Sequence, residues 1–172
     1  MDFLDLVTEV IDLRSFSNLW YWIVLAILWS SFTNWVLGIP YHLVQRARGG
    51  DADSARDLRL LARINSRRVL EVADMSGPLV VAIGAFVFSA LAVLGWGYRI
   101  EFAQALVLLI LPLVLVAGLS VVTARRLHDS DFATAEALLR HHRLIVQAMG
   151  IVSIFLTAFW GMKMNVTASV LH

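Results

Sequence analysis

Four stretches of this sequence, residues 19–43, 78–96, 102–124 and 144–162, are predominantly apolar and carry no charged residue well inside them. A helix needs about 20 such residues to cross the hydrocarbon core of a bilayer. Because lipid offers backbone groups no hydrogen-bonding partners, a segment there folds as a helix or as part of a closed barrel. Runs of this length predict an all-α fold, an integral membrane bundle of four transmembrane helices forming a single domain. The composition agrees. Of 172 residues, 59% are hydrophobic and 16% charged, whereas a soluble domain carries about 25% charge. Mean hydropathy is +0.76. A net charge of +1 argues against a nucleic-acid partner, which calls for a basic surface. The absence of cysteine removes disulfides, thiolate metal sites and cysteine-held iron–sulfur clusters. The opening Met1-Asp2-Phe3-Leu4-Asp5 has neither a basic leader nor a small-residue cleavage site, so no removable signal peptide is expected.

Orientation follows from the cations. The connection over residues 46–76 holds Arg46, Arg48, Arg56, Arg59, Arg63, Arg67 and Arg68, and that over 125–143 holds Arg125, Arg126, Arg140 and Arg143. Only Arg14, Arg99 and Lys163 fall on the other side. The positive-inside rule then puts both connections in the cytoplasm. Trp20, Tyr21, Trp22, Trp96, Tyr98 and Trp160 form an aromatic belt at the opposite face. The expected location is a bacterial inner membrane, multi-pass, with both termini periplasmic.

The flanking pieces have patterns of their own. Over residues 1–14, Asp2, Asp5, Glu9 and Asp12 recur at helical spacing opposite Phe3, Leu6, Val7 and Val10, predicting an amphipathic interfacial helix. Its acidic face offers a docking surface for a basic partner, although a solvated polar face is the commoner use of such a pattern. Gly49-Gly50-Asp51 signals a turn. A cytoplasmic helix follows over residues 53–73, with Arg56, Arg59, Arg63 and Arg67 on one side and Leu61, Ile64 and Val72 on another. Ser76-Gly77-Pro78 is expected to close it and start the second span. Ser130 or Asp131 can cap a helix that runs on into the fourth span.

No catalytic, cofactor or metal residues stand out. His42, His128, His141 and His142 cluster near the cytoplasmic ends of the spans, where histidines without a chemical role are common; a haem-binding bundle would place its ligands deeper. The spans hold no ionisable group at membrane depth, which a coupled transporter needs. Ser30, Ser31, Thr33 and Asn34 give the first span a polar face that suits a homo-oligomeric pore or, more simply, hydrogen bonds between helices. Small residues mark rows for close packing: Gly77, Ala85, Ser89 and Gly97 on the second span, interrupted by Val81 and Val93, and Ser153, Thr157 and Gly161 on the fourth. Trp29 and Trp35 lie within the first span. The candidate interaction residues are therefore Asp2, Asp5, Glu9, Asp12, Trp29, Trp35, Ser89, Ser153 and Thr157.

Ile11-Asp12-Leu13-Arg14-Ser15-Phe16-Ser17-Asn18-Leu19-Trp20-Tyr21-Trp22 and Trp35-Val36-Leu37-Gly38-Ile39-Pro40-Tyr41 carry a likeness across nearly the whole chain. So do Tyr98-Arg99-Ile100-Glu101-Phe102-Ala103-Gln104-Ala105 and Gly150-Ile151-Val152-Ser153-Ile154-Phe155. Together they resemble a family of small alphaproteobacterial inner-membrane proteins labelled "component of SufBCD complex". The resemblance implies the same four-span layout, and its label implies a link with cytoplasmic iron–sulfur cluster assembly. It brings no catalytic residues. The function expected from all this is a non-enzymatic accessory or scaffold subunit without cofactors. Its partners would be membrane lipids and either copies of itself or another membrane protein. A homo-oligomeric channel and a haem-binding electron carrier are the alternatives.

Overall fold

The computed structural model describes residues 19–128, 130 and 132–170, so the expected helix over residues 1–14, with Asp2, Asp5, Glu9 and Asp12, lies outside the described residues. In chain order the elements are α1 (Leu19–Asn34), a two-stranded hairpin of β1 (Trp35–Val36) and β2 (Ile39–Pro40), α2 (Tyr41–Arg48), α3 (Ala52–Ala92), α4 (Glu101–His128) and α5 (Phe132–Val170). A π-helical turn, Val93–Gly97, extends α3. Among the described residues the fold is helical apart from the hairpin and short turns, and three runs (Ala52–Gly97, Glu101–His128 and Thr134–Met164) are long and apolar enough to cross a membrane.

The first apolar stretch departs from expectation. Instead of one helix over residues 19–43, α1 stops at Asn34 after 16 residues, about 24 Å at 1.5 Å per residue, short of a core of about 30 Å. The chain then reverses through Leu37 and Gly38, both at positive φ (52° and 74°), pairing Trp35 with Pro40 and Val36 with Ile39. Two successive left-handed residues are what a type I′ hairpin turn requires. Gly38 also lies against α3, since a Cβ there would come 3.2 Å from Asn65 Nδ2. Pro40 leads into α2.

The second departure is at Ser76-Gly77-Pro78, which does not close a helix: α3 is continuous through all three residues. Pro78 removes one ladder bond, and in an apolar surrounding the neighbouring backbone has nowhere better to turn. The Ser76 hydroxyl donates back to the Val72 carbonyl at 2.8 Å. With its π-turn the run reaches 46 residues, about 69 Å. That is more than twice the bilayer core, so a single crossing would take up about half of it. In the first half of the run the buried row is Ser54, Leu58, Ala62 and Ser66, with Leu61 packed beside the core and Ile64 and Val72 exposed. Two serines in the row hid the four-residue period from a count of apolar residues. As anticipated, α5 runs unbroken from the second connection into the fourth apolar stretch.

Hydrogen bonds fix how the helices run. Tyr21 near the start of α1 reaches the Ala105 carbonyl near the start of α4, while Arg143 Nε donates to the Thr33 carbonyl at the end of α1. Trp160 late in α5 meets Gln104. Thus α1 and α4 run one way, and α3 and α5 the other. Two apolar clusters hold them. Leu25, Trp29, Val116 and Val146 join α1, α4 and α5. Val36, Ile39, Val44, Ala47, Leu58, Ala62, Leu127, Ala135 and Leu139 tie the hairpin, α2 and the arginine-rich ends of α3, α4 and α5.

Candidate functional site

At the arginine-rich end of the bundle, Thr123 on α4 and His142 on α5 form a buried pair, Oγ1 to Nδ1 at 2.9 Å. They are 6% and 4% exposed. One turn earlier on α4, the Ser120 hydroxyl donates to the Val116 carbonyl at 2.8 Å, which leaves its oxygen able to accept. Ser120 and His142 line a cavity of about 380 Å³, walled by Ser31, Phe32 and Trp35 from the end of α1 and the hairpin, and by Val69, Val116 and Val146. Beside this end, the Arg143 guanidinium lies 3.7 Å from the centre of the Tyr41 ring. No permanently charged side chain is among the cavity's lining residues.

A second polar knot closes the opposite end. Gln104, 4% exposed, donates from Nε2 to the Gly95 carbonyl at 2.6 Å and accepts from Trp160 Nε1 at 2.9 Å. Gly95 belongs to the π-turn, and a Cβ there would come 3.1 Å from the Gln104 nitrogen, a contact tight enough that a larger residue would push α4 away by a few tenths of an ångström. Trp96 packs on Trp160, and the Lys163 ammonium lies 4.8 Å from the Trp160 ring centre. One side chain thereby joins α3, α4 and α5.

The candidate interaction residues separate into inner and outer sets. Trp29 is buried against Gly150. Ser153 and Thr157 are buried on α5, and the Ser153 hydroxyl has no hydrogen-bond partner among the described residues. Trp35 is 57% exposed at the cavity mouth. Ser89 is exposed on α3, where with Phe86, Ala90, Val93 and Leu94 it lines a shallow groove of about 430 Å³. Gly77 and Gly84 on the same helix have open space where a Cβ would stand.

Two residues now prominent, His142 and Gln104, drew little notice in the sequence. Their signal was periodicity: Ala135, Leu139, His142, Val146, Gly150, Ser153, Thr157 and Gly161 are all buried and follow at spacings of three and four, so His142 sits on the inner face of α5. His42, His128 and His141 are exposed and do not join it. Among the described residues no three histidine or carboxylate side chains gather as a metal site. Outside the apolar stretches, the Ser54 hydroxyl bonded at 2.5 Å holds the Asp51 carboxyl below its ordinary range, with help from backbone N–H groups and Arg46.

Compared with protein-family models, with curated proteins and with solved structures, the chain finds no match.

Proposed function

We propose that this protein is a non-enzymatic subunit of a bacterial inner membrane, a scaffold or accessory element that associates with copies of itself or with another membrane protein. The observation that carries this reading is the free face of α3. Along it Val81 and Val93 are 70% and 58% exposed, Ser89 sits between them, and the groove beside Ser89 is bounded by Phe86 and Leu94. Lipid tails cover apolar surface as well as a partner helix does, so hydrophobicity alone does not favour a partner. Shape does: small side chains beside larger ones give a second backbone close van der Waals contact, which is what drives helix association in lipid.

The buried polar groups support a role without catalysis. A hydroxyl on an imidazole is also how a nucleophile meets its base. Here no carboxylate among the described residues bonds the ring to orient it. The arginine distribution supports a cytoplasmic location for the arginine-rich end, with both termini periplasmic. In this reading α1 and the hairpin together make the first of four crossings. The resemblance to the inner-membrane family labelled "component of SufBCD complex" points to the same membrane. Extraction in mild detergent followed by native mass measurement tests the role. A discrete assembly larger than the 19.2 kDa chain supports it, and a lone monomer with nothing bound contradicts it.

A further inference from the structure

We infer that the cavity at His142 is a binding site for a neutral, ring-headed ligand of the lipid phase, namely a quinone carrying an isoprenoid or alkyl chain. A volume of about 380 Å³ lies in the range of small-ligand pockets, on the order of 300–1,000 Å³, and like them it is mostly apolar with a few placed polar groups. Among the described residues the His142 ring is bonded only by Thr123, through Nδ1, which leaves Nε2 as its free polar atom. If Thr123 donates, Nε2–H donates to a carbonyl; if Nδ1–H donates to Thr123, Nε2 accepts from a hydroxyl. The threonine serves either tautomer, so one site accommodates both the quinone and the quinol head. Ser120 and Ser31 add hydroxyls, and Phe32 and Trp35 supply flat walls for a ring.

The same lining disfavours a phospholipid head. A phosphate moved from water to this cavity would find no cation among the residues that line it. Placement suits a ring-headed lipid as well: His142 lies two residues before the apolar stretch 144–162, and the partly exposed Phe32 and Trp35 stand at the mouth. The inference requires the membrane location proposed above but not the scaffold role.

The test uses the full-length protein in lipid nanodiscs, titrated with decylubiquinone while tryptophan fluorescence is read. The site predicts saturable quenching above the linear background of quinone dissolved in lipid. Trp35→Phe should remove most of the saturable amplitude. His142→Leu should raise the half-saturating concentration about tenfold, the loss of one hydrogen bond. Should His142→Leu not fold, Val69→Phe, at a half-buried position, fills the cavity from α3 and should abolish saturation. Linear quenching throughout, or half-saturation unchanged in the folded variant, overturns the site even in a protein that pellets with membranes. Displacement of the quinone by added phosphatidylglycerol overturns the ring-headed assignment in favour of a phospholipid.

Discussion

The Trp29 indole lies against the backbone of Gly150, so closely that a Cβ at that glycine would come 2.8 Å from ring atom Cε3. The ring is 6% exposed and enclosed by Leu25, Val116 and Val146, so it cannot swing aside. Gly150→Ala gains about 1 kcal/mol of helix propensity and costs about 1–3 kcal/mol of overpacking. The clash is expected to win, lowering the Tm in detergent. Gly118→Ala on α4, with open space at its Cβ, should keep the propensity gain and raise it. Adding Trp29→Leu to Gly150→Ala relieves the clash, and non-additivity in that pair would measure it.

Gln104 offers a second test. Gln104→Leu deletes two hydrogen bonds and leaves the Gly95 carbonyl and Trp160 Nε1 without their partner, at about 1–3 kcal/mol for each group left unsatisfied. Trp160→Phe alone should cost less, because it leaves one group, Gln104 Oε1, without its partner rather than two. A double-mutant cycle read by thermal unfolding should give a coupling energy for Gln104 and Trp160 of about 1 kcal/mol, and additive losses would show that the bond contributes nothing.

Thr123→Val keeps the shape of the side chain while taking the hydroxyl from His142. The expected loss of stability is about 1–2 kcal/mol. Thr123→Ser keeps the hydroxyl and should recover most of the polar contribution. Equal losses in the two variants would mean that packing alone matters there.

These three pairs show what the sequence discloses and what it hides. Charge-free length made the long apolar helices legible, because a helix that can cross a bilayer core needs an uninterrupted apolar run. The hairpin at Leu37-Gly38 was not legible. Apolar residues flank it on both sides, and Leu37 adopts a positive φ that leucine rarely takes. Continuity of α3 through Pro78 was masked by a proline that locally argues for a boundary. The His142 partnership depends on α4, nineteen residues away in sequence, and no local pattern names Thr123.

The start of α3 should respond to acid. The Ser54 hydroxyl holds the Asp51 carboxyl below its ordinary value of 3.8, so the folded state prefers it ionised. The stability it lends is present above that value and lost as pH falls through the lower folded one. Amide-exchange protection in the first turn of α3, corrected for intrinsic rates, should therefore decline in that acid range, and Asp51→Asn should flatten the decline. Unchanged acid dependence in Asp51→Asn would remove Asp51 from the explanation.

The absence of cysteine from these 172 residues makes the proposed docking face directly addressable. Ser89→Cys, labelled in native membranes with a maleimide–benzophenone reagent and irradiated, should give one discrete adduct. Its mass should be twice 19.2 kDa or that of the chain plus a single partner. Phe155→Cys, at an exposed position on α5, serves as the control and should give only lipid adducts. If Ser89→Cys behaves as Phe155→Cys does, α3 faces lipid alone and the scaffold account fails.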